Sequence, residues 1–152
     1  MRDHISIARI ATLHPKWRPD AQAFIEDAES SLNLTIRVVQ ALRTFAEQDA
    51  LYAQGRTKPG PIVTYSPAGT SYHCYGLAMD SVPFLPNGND LNWNFNFELF
   101  RPFAEKYGIQ MGIDFPKKDS DHVENKYGYN WRYLRHKHEI KDFIINTTYV
   151  NI

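Results

Sequence analysis

Two short stretches of this chain combine residue types that bind metal ions. The first is Ser71-Tyr72-His73-Cys74-Tyr75-Gly76-Leu77-Ala78-Met79-Asp80, and the second is Asp119-Ser120-Asp121-His122-Val123-Glu124. Together they supply two imidazoles and a carboxylate, with further carboxylates beside the second histidine. A catalytic zinc site uses three protein ligands, leaves one position open for water, and works with a nearby base. The fold must therefore bring two distant segments together around one ion.

Strand geometry gives each ligand a plausible position. A strand is predicted over residues 77–82, and side chains alternate between its two faces. His73 lies just before this strand, where a bend would return its ring toward Asp80. His122 and Glu124 share one face of a second predicted strand. Glu124 is therefore expected either near the metal or as a hydrogen-bonding support for a ligand.

Two aspartates close to the second histidine are candidates for the base. Asp119 lies three residues before His122, on the predicted turn into its strand. From there its carboxylate would accept a proton from water and pass it to a leaving amine. Asp121 is the second candidate, but alternation along the strand points it away from His122. We therefore favour Asp119.

Composition limits the classes of partner. The chain has 152 residues, which fits one domain over residues 1–152, and its 17 basic and 17 acidic residues cancel. This balance predicts no binding to nucleic acid or to anionic membranes. Because Cys74 is the single cysteine, no intramolecular disulfide is possible, and folding in the cytosol is expected. We find neither a signal peptide nor an apolar run long enough for membrane insertion.

Periodicity and turn residues predict an α+β fold, with helices covering a small, mostly antiparallel sheet. Helices are predicted at 19–32, 43–55, 97–107 and 129–138. Strands are predicted at 35–41, 77–82, 109–113 and 122–124, with a β-rich tail at 143–152. Loops are expected at 57–70 and 83–92, and the prolines and glycines of the first would allow it to act as a lid.

A family resemblance rests on several motifs in order along the chain. They are Leu42-Arg43-Thr44, Gln48, Leu51-Tyr52-Ala53-Gln54-Gly55-Arg56-Thr57, Ser71-x-His73-x-x-Gly76-x-Ala78-x-Asp80, and Asp119-x-x-His122-x-Glu124. With these the chain resembles the zinc-dependent L-alanyl-D-glutamate and D-alanyl-D-alanine peptidases of the peptidase M15 (VanY-like) family, which includes phage endolysins. The resemblance implies the fold shared by Hedgehog and D-Ala-D-Ala peptidases.

The resemblance also implies roles for individual residues. Zinc would be held by His73, Asp80 and His122, with Asp119 as the general base. The ligand set itself would also accept manganese, cobalt or nickel.

The same resemblance implies substrate contacts. Arg43 would bind a substrate carboxylate or the developing oxyanion, for which a guanidinium is well suited. Ser71 would hydrogen-bond substrate near the metal, and Gln48 would help to shape the pocket. One departure is the segment Gly112-Ile113-Asp114-Phe115, where many relatives carry Gly-Gly-Asp-Trp. The loss of the indole leaves open which position of the stem peptide is preferred.

These expectations define a leading function and its alternatives. The leading function is hydrolysis of the L-alanyl–D-glutamate bond in the stem peptide of peptidoglycan, by an endolysin-like monomer released to the wall by a holin-type partner. A D-alanyl-D-alanine carboxypeptidase is the close alternative. A zinc-stabilised, catalytically inert wall-binding domain is the third, but it would not need Asp119. A cysteine peptidase using Cys74 and His122 is disfavoured, because an extended backbone turns Cys74 away from His73.

Overall fold

A computed structural model describes residues 3–152 of the chain. The helices are α1 (His4–Ile10), α2 (Arg18–Leu32), α3 (Phe45–Ala53), α4 (Arg101–Lys106) and α5 (Trp131–Glu139). The strands are β1 (Ile36–Gln40), β2 (Ala78–Pro83), β3 (Gln110–Met111) and β4 (His122–Glu124), and short 3₁₀ turns occupy Tyr72–Tyr75, Phe97–Phe100 and Gly112–Asp114. Within residues 3–152, no helix is both long and apolar enough to cross a membrane.

The strands form one antiparallel sheet in the order β1-β2-β4-β3. Strands β2 and β4 pair so that Asp80 lies opposite His122 and Ala78 lies opposite Glu124. The predicted α+β architecture with a small antiparallel sheet is confirmed. The pairing of β2 with β4 places the two metal-binding motifs side by side.

The core lies between the sheet and the helices. Helix α2 has Pro19 in its first turn and ends at Asn33, which adopts a left-handed backbone with φ 50°. Its apolar side chains recur at helical spacing, and Phe24 is fully buried with its ring edge-to-face against Phe100. Leu77, at the start of β2, is also fully buried.

Helix α1 was not predicted, because contacts with β1 stabilise it more than its own short sequence does. Asp3 caps its N-terminus by accepting a hydrogen bond from the Ser6 backbone N–H at 3.0 Å. The Ser6 hydroxyl in turn accepts the N–H of Val38 in β1 at 2.7 Å. Arg37 forms an ion pair with Asp3 at 2.6 Å.

Three predicted elements differ from the structure. The predicted helix 97–107 is divided into a 3₁₀ turn and α4, with Pro102 in the first turn of α4. The predicted strand 109–113 is only Gln110–Met111, because the chain turns at Gly112. The prediction of a β-rich tail was wrong: residues 143–152 form turns with one bridge, between Phe143 and Val150.

Candidate metal centre

A tight turn before β2 places His73 close to Asp80. Ser71 caps the 3₁₀ turn Tyr72–Tyr75, and its hydroxyl accepts the His73 N–H at 3.3 Å. Gly76 ends the turn with φ 69°, and a Cβ there would lie 2.6 Å from the backbone nitrogen of His14. Glycine therefore provides both the left-handed backbone and the close approach that this turn requires.

The three predicted metal ligands converge on one point. The Oδ1 atom of Asp80 lies 3.2 Å from Nε2 of His73 and 3.1 Å from Nδ1 of His122. One ligand atom from each residue lies within 4.8 Å of the others. Both histidines are buried, at 3% and 7% exposure, so the cluster forms the floor of the site.

The hydrogen bonds of each imidazole favour a tautomer suited to a cation. Nδ1 of His73 lies 2.8 Å from the carbonyl oxygen of Ala41, which only accepts, so Nδ1 carries the proton and Nε2 has a lone pair. Nε2 of His122 lies 2.8 Å from a Glu124 carboxylate oxygen, which leaves the lone pair on Nδ1. Both lone pairs then face Asp80, and a bound cation would satisfy all three groups. The donor set of two nitrogens and an oxygen fits zinc.

When no cation is bound, a proton shared between the imidazoles and Asp80 must take its place. Burial lowers the pKa of His122, but hydrogen bonds to Asp80 and Glu124 outweigh it and raise the pKa to about 10. Burial raises the pKa of Asp80, but hydrogen bonds from His122 and His73 hold it well below its usual range. The site therefore favours an ionised carboxylate and an added positive charge.

Glu124 supports a ligand rather than joining the cluster. Its side chain is buried, with one oxygen on His122 and the other 3.1 Å from the Lys126 ammonium. Burial raises its pKa, but the hydrogen bond from His122 and the charge of Lys126 bring it below the usual value. A carboxylate on the outer nitrogen of a metal-binding histidine orients the ring and increases its basicity.

Asp119 lies beside the cluster and faces the cleft. Its Oδ2 atom is 3.8 Å from Nδ1 of His122, and the side chain is 57% exposed. The turn that carries it is fixed by Gly112, whose carbonyl accepts the Asp119 N–H at 3.0 Å. Asp121 does not line the cleft, and burial, with the charges of Asp80 and Asp119, raises its pKa to about 6.

Arg43 lies on the other side of Asp80, with Gln48 behind it. The Arg43 Nη2 atom is 3.9 Å from Asp80 Oδ2, and its Nη1 donates to the Gln48 amide oxygen at 2.8 Å. Gln48 is fully buried and donates to the Ser66 carbonyl at 2.6 Å. Gln48 does not itself line the cleft, but its partners Arg43 and Ser66 do, so its expected part in shaping the pocket would be indirect.

An open cleft of about 790 Å³ lies above the cluster. Residues 63–66 and residues 115–119 line it, and so do Ser71 and Tyr72. Loop 57–70, predicted as a loop, thus contributes directly to the cleft. Cys74 is buried and outside the cleft, and burial raises the pKa of its thiol, which agrees with the disfavoured nucleophile interpretation.

Sequence reasoning missed one backbone group and one side-chain contact at the site. The Ala41 carbonyl that orients His73 is a backbone group, so no side-chain motif points to it. Lys117 and Tyr65 meet at the cleft through their positions in two separate loops. Only the folded chain brings these two residues together.

Comparisons with known proteins find relatives over most of the chain. A family model described as VanY, D-alanyl-D-alanine carboxypeptidase, matches residues 11–147. The peptidoglycan L-alanyl-D-glutamate endopeptidase CwlK of Bacillus subtilis (strain 168) is 34% identical over 123 residues, with 74% of this chain and 72% of CwlK covered.

Solved structures share the fold. The L-Ala D-Glu endopeptidase ChiX of Serratia marcescens matches with a TM-score of 0.60 and 21% identity, covering 83% of this chain and 90% of ChiX. A vancomycin-resistance D,D-pentapeptidase VanY from a VanB-type cassette, in complex with Zn(II), matches with a TM-score of 0.55 and 17% identity, covering 82% of this chain and 78% of that one.

Proposed function

The chain belongs to the VanY D-alanyl-D-alanine carboxypeptidase family, and on this basis we propose that it is a zinc peptidase that hydrolyses the L-alanyl–D-glutamate bond of the peptidoglycan stem peptide. The observation that carries the proposal is the convergence of His73, Asp80 and His122 at the floor of an open cleft. The similarity to CwlK supports the choice of bond.

The proposed reaction divides the work among the residues at the floor of the cleft. Zinc held by His73, Asp80 and His122 would polarise the scissile carbonyl and lower the pKa of water. Asp119, exposed beside the cluster, takes a proton from the attacking water and delivers it to the leaving amine nitrogen. Glu124 and the Ala41 carbonyl hold the two imidazoles in the required tautomers.

Arg43 provides positive charge on the substrate side of the site. Among residues 3–152, its Nη2 atom has only the long 3.9 Å contact with Asp80, which leaves donors for a substrate carboxylate or for the negative oxygen that develops during attack. We propose that Gln48 acts through Arg43 by fixing the guanidinium from behind. Ser71 lines the cleft, where its hydroxyl would donate to the substrate while accepting the His73 N–H.

The test is peptide release from purified peptidoglycan sacculi, identified by mass spectrometry. Native protein should release fragments with a new N-terminal D-glutamate. Release should stop after chelation and return with zinc, and it should be absent for a folded, zinc-loaded Asp119→Ala protein. Appearance of free D-alanine under the same controls would instead assign the D-alanyl-D-alanine carboxypeptidase activity named by the family model. Stoichiometric zinc without cleavage of any bond would favour an inert wall-binding domain.

We further propose an endolysin-like setting. The protein would be made in the cytoplasm, reach the wall through a holin-type partner, and act as a monomer. The proposed substrate lies in the wall, so the protein must reach it from its site of synthesis. Cell fractionation with and without a co-expressed holin, together with light scattering of the purified protein, tests this setting. Export during normal growth without a partner would contradict it.

A further inference from the structure

The cleft is more positively charged than the chain as a whole. The chain carries 17 basic and 17 acidic residues. The basic residues that line the cleft are Arg43, Lys117, Lys118 and Lys126, and the acidic ones are Asp80, Asp119 and Glu124. A divalent ion at the floor would add to this excess. In a concave site, such an excess attracts anionic ligands.

The lysines of residues 115–119 remain available to a ligand. Asp80 already lies between two histidines, and Glu124 is paired with His122 and Lys126. Lys117 and Lys118 are exposed, and neither has a carboxylate within 4.0 Å in the described range 3–152. The Lys117 charge therefore faces the cleft without a fixed counter-ion, whereas the Lys118 charge also interacts with Glu98 outside the cleft.

An aromatic ring holds Lys117 in place. The Lys117 Nζ atom lies 3.4 Å from the centroid of the Tyr65 ring, which lines the same cleft from loop 57–70. Tyr65 is 63% exposed, so this contact lies at the rim. A cation–π contact positions an ammonium group but, unlike a carboxylate partner, it does not cancel its charge.

The proposed substrate carries a suitable anion. The leaving amine of an L-alanyl–D-glutamate bond belongs to glutamate, which has two carboxyl groups and needs only one to continue the peptide. When the γ-carboxyl continues the chain, the α-carboxyl is bonded to the same carbon as the scissile nitrogen. That group enters the cleft with the bond, as a carboxylate or, if amidated, as a neutral carboxamide.

Building on the proposed function, we propose that Lys117, held on Tyr65 and assisted by Lys118, makes the cleft select substrates with a free carboxylate next to the scissile bond. The cleft discriminates against the amidated form, because the carboxamide loses the Coulomb attraction but keeps nearly the same shape. Arg43 contributes at the floor of the cleft, where this carboxylate would lie, and the two lysines contribute from the rim through the longer-range attraction of their charges.

Two synthetic peptides test the selection: L-Ala-γ-D-Glu-L-Lys and its α-carboxamide counterpart. For the zinc-loaded native protein we expect kcat/KM to favour the carboxylate by about tenfold at low ionic strength. The preference should shrink at high salt, because charges exposed at the rim are screened. Cleavage of both peptides at equal rates would overturn the inference and leave the assignment of the bond intact.

Variants separate the rim lysines from general effects of charge. Lys117→Gln should lower the preference about threefold, as expected for one exposed charge pair, and Lys117→Gln/Lys118→Gln should lower it further. Lys141→Gln is the matched control, because Lys141 is exposed and outside the cleft. Tyr65→Phe should keep the preference and Tyr65→Leu should reduce it. Equal reductions by Lys117→Gln and Lys141→Gln would contradict the role of Lys117.

A binding measurement distinguishes this inference from the proposed function. If neither peptide is cleaved, the proposed function fails. Calorimetry of both peptides with the zinc-loaded native and Lys117→Gln proteins then decides the selection on its own. Tighter binding of the carboxylate, reduced in Lys117→Gln, would support it. Equal affinities for the two peptides would overturn it.

Discussion

At the scale of single residues, the site depends on which nitrogen of each imidazole carries a proton. The Ala41 carbonyl and the Glu124 carboxylate each accept a hydrogen bond from the outer nitrogen of a histidine, so that the inner lone pairs face Asp80. A motif search finds the histidines but says nothing of this orientation. The chemistry of the site therefore rests on two partners that lie outside the ligand set.

Replacing the proposed base should separate catalysis from metal binding. Asp119→Asn keeps the shape of the side chain but removes its basicity, so we expect kcat to fall by about 10²- to 10⁴-fold. Zinc content should stay at one per chain, because Asp119 is outside the ligand cluster. Turnover by sacculus digestion and metal content by atomic emission provide the two readouts. An unchanged kcat would exclude Asp119 as the base and redirect the search to Asp121.

Removing the carboxylate that accepts the His122 hydrogen bond should weaken zinc binding rather than destabilise the fold. Glu124→Ala takes away the acceptor on Nε2 and frees Lys126, and we expect zinc affinity to fall by about 10- to 100-fold. Competition with a chromophoric chelator measures this affinity. Glu139→Ala is a matched control, since Glu139 is exposed and forms its ion pair with Arg135 on α5, away from the cluster. A zinc affinity equal to that of the control would show that His122 is oriented by other contacts.

At the scale of elements, the register of β2 against β4 assembles the metal site. Asp80 lies opposite His122 because these strands pair antiparallel at that position, and the 3₁₀ turn before β2 returns His73 to the same point. The turn before β4 then sets the position of Asp119. It packs so tightly on Gly112 that a Cβ at that residue would overlap the Asp119 carbonyl oxygen.

A methyl group at residue 112 should therefore displace the turn that carries Asp119. We expect Gly112→Ala to destabilise the fold by about 1–3 kcal/mol, as overpacking does, and to reduce turnover as well. Gly88→Ala is the control: its φ is 73°, and no atom lies within 4 Å of the added Cβ, so it has only the backbone cost of about 1–2 kcal/mol. Chemical denaturation and sacculus digestion of both variants measure the two effects. Full turnover by Gly112→Ala would show that the turn tolerates the shift.

Most elements could be predicted from sequence because their periodicity is local. Helix α2 and strands β1, β2 and β4 occur within a few residues of their predicted bounds. Helix α1 and the tail could not be predicted, because their structure depends on distant partners such as Val38 and His14. The ligand trio followed from motifs, whereas the burial of Gln48 and the meeting of Lys117 with Tyr65 depend on packing between segments that are far apart.

At the scale of the whole molecule, His14 connects the two ends of the chain with the turn that precedes β2. Its backbone N–H donates to Gly76 at 2.9 Å, its Nε2–H donates to the Val150 carbonyl at 2.8 Å, and its Nδ1 accepts the Lys16 N–H at 3.1 Å. The side chain is fully buried. Because Nδ1 is already an acceptor, protonation would break one of these bonds.

The burial of His14 predicts loss of stability in mild acid. Burial lowers its pKa, while the Val150 carbonyl opposes the shift only in part. Below about pH 6.5, position 14 therefore binds a proton in the unfolded chain but not in the folded chain. As the pH is lowered from that value, the free energy of unfolding decreases by up to about 1.4 kcal/mol per pH unit. The raised pKa of His122 has its effect at higher pH. In the metal-free protein it contributes stability that is fully present below about pH 6.5 and is lost as the pH rises toward 10.

Urea denaturation of chelated protein at several pH values between 5 and 7 measures the slope. The difference in free energy of unfolding between the native protein and His14→Gln should decrease as the pH falls from 7 to 5, because the variant side chain does not titrate. Asp121, whose pKa of about 6 acts in the opposite direction, contributes to both proteins. NMR titration should show His14 still neutral at pH values where an unperturbed imidazole is already protonated. A normal His14 titration would contradict the prediction.

The contact between Lys117 and Tyr65 connects residues 115–119 with loop 57–70 at the edge of the cleft. Under the proposed selection, a carboxylate drawn into the cleft competes with the Tyr65 ring for the same ammonium group. Binding of such a ligand would therefore weaken the contact between these two segments, so the spacing of the segments would depend on the charge of the ligand.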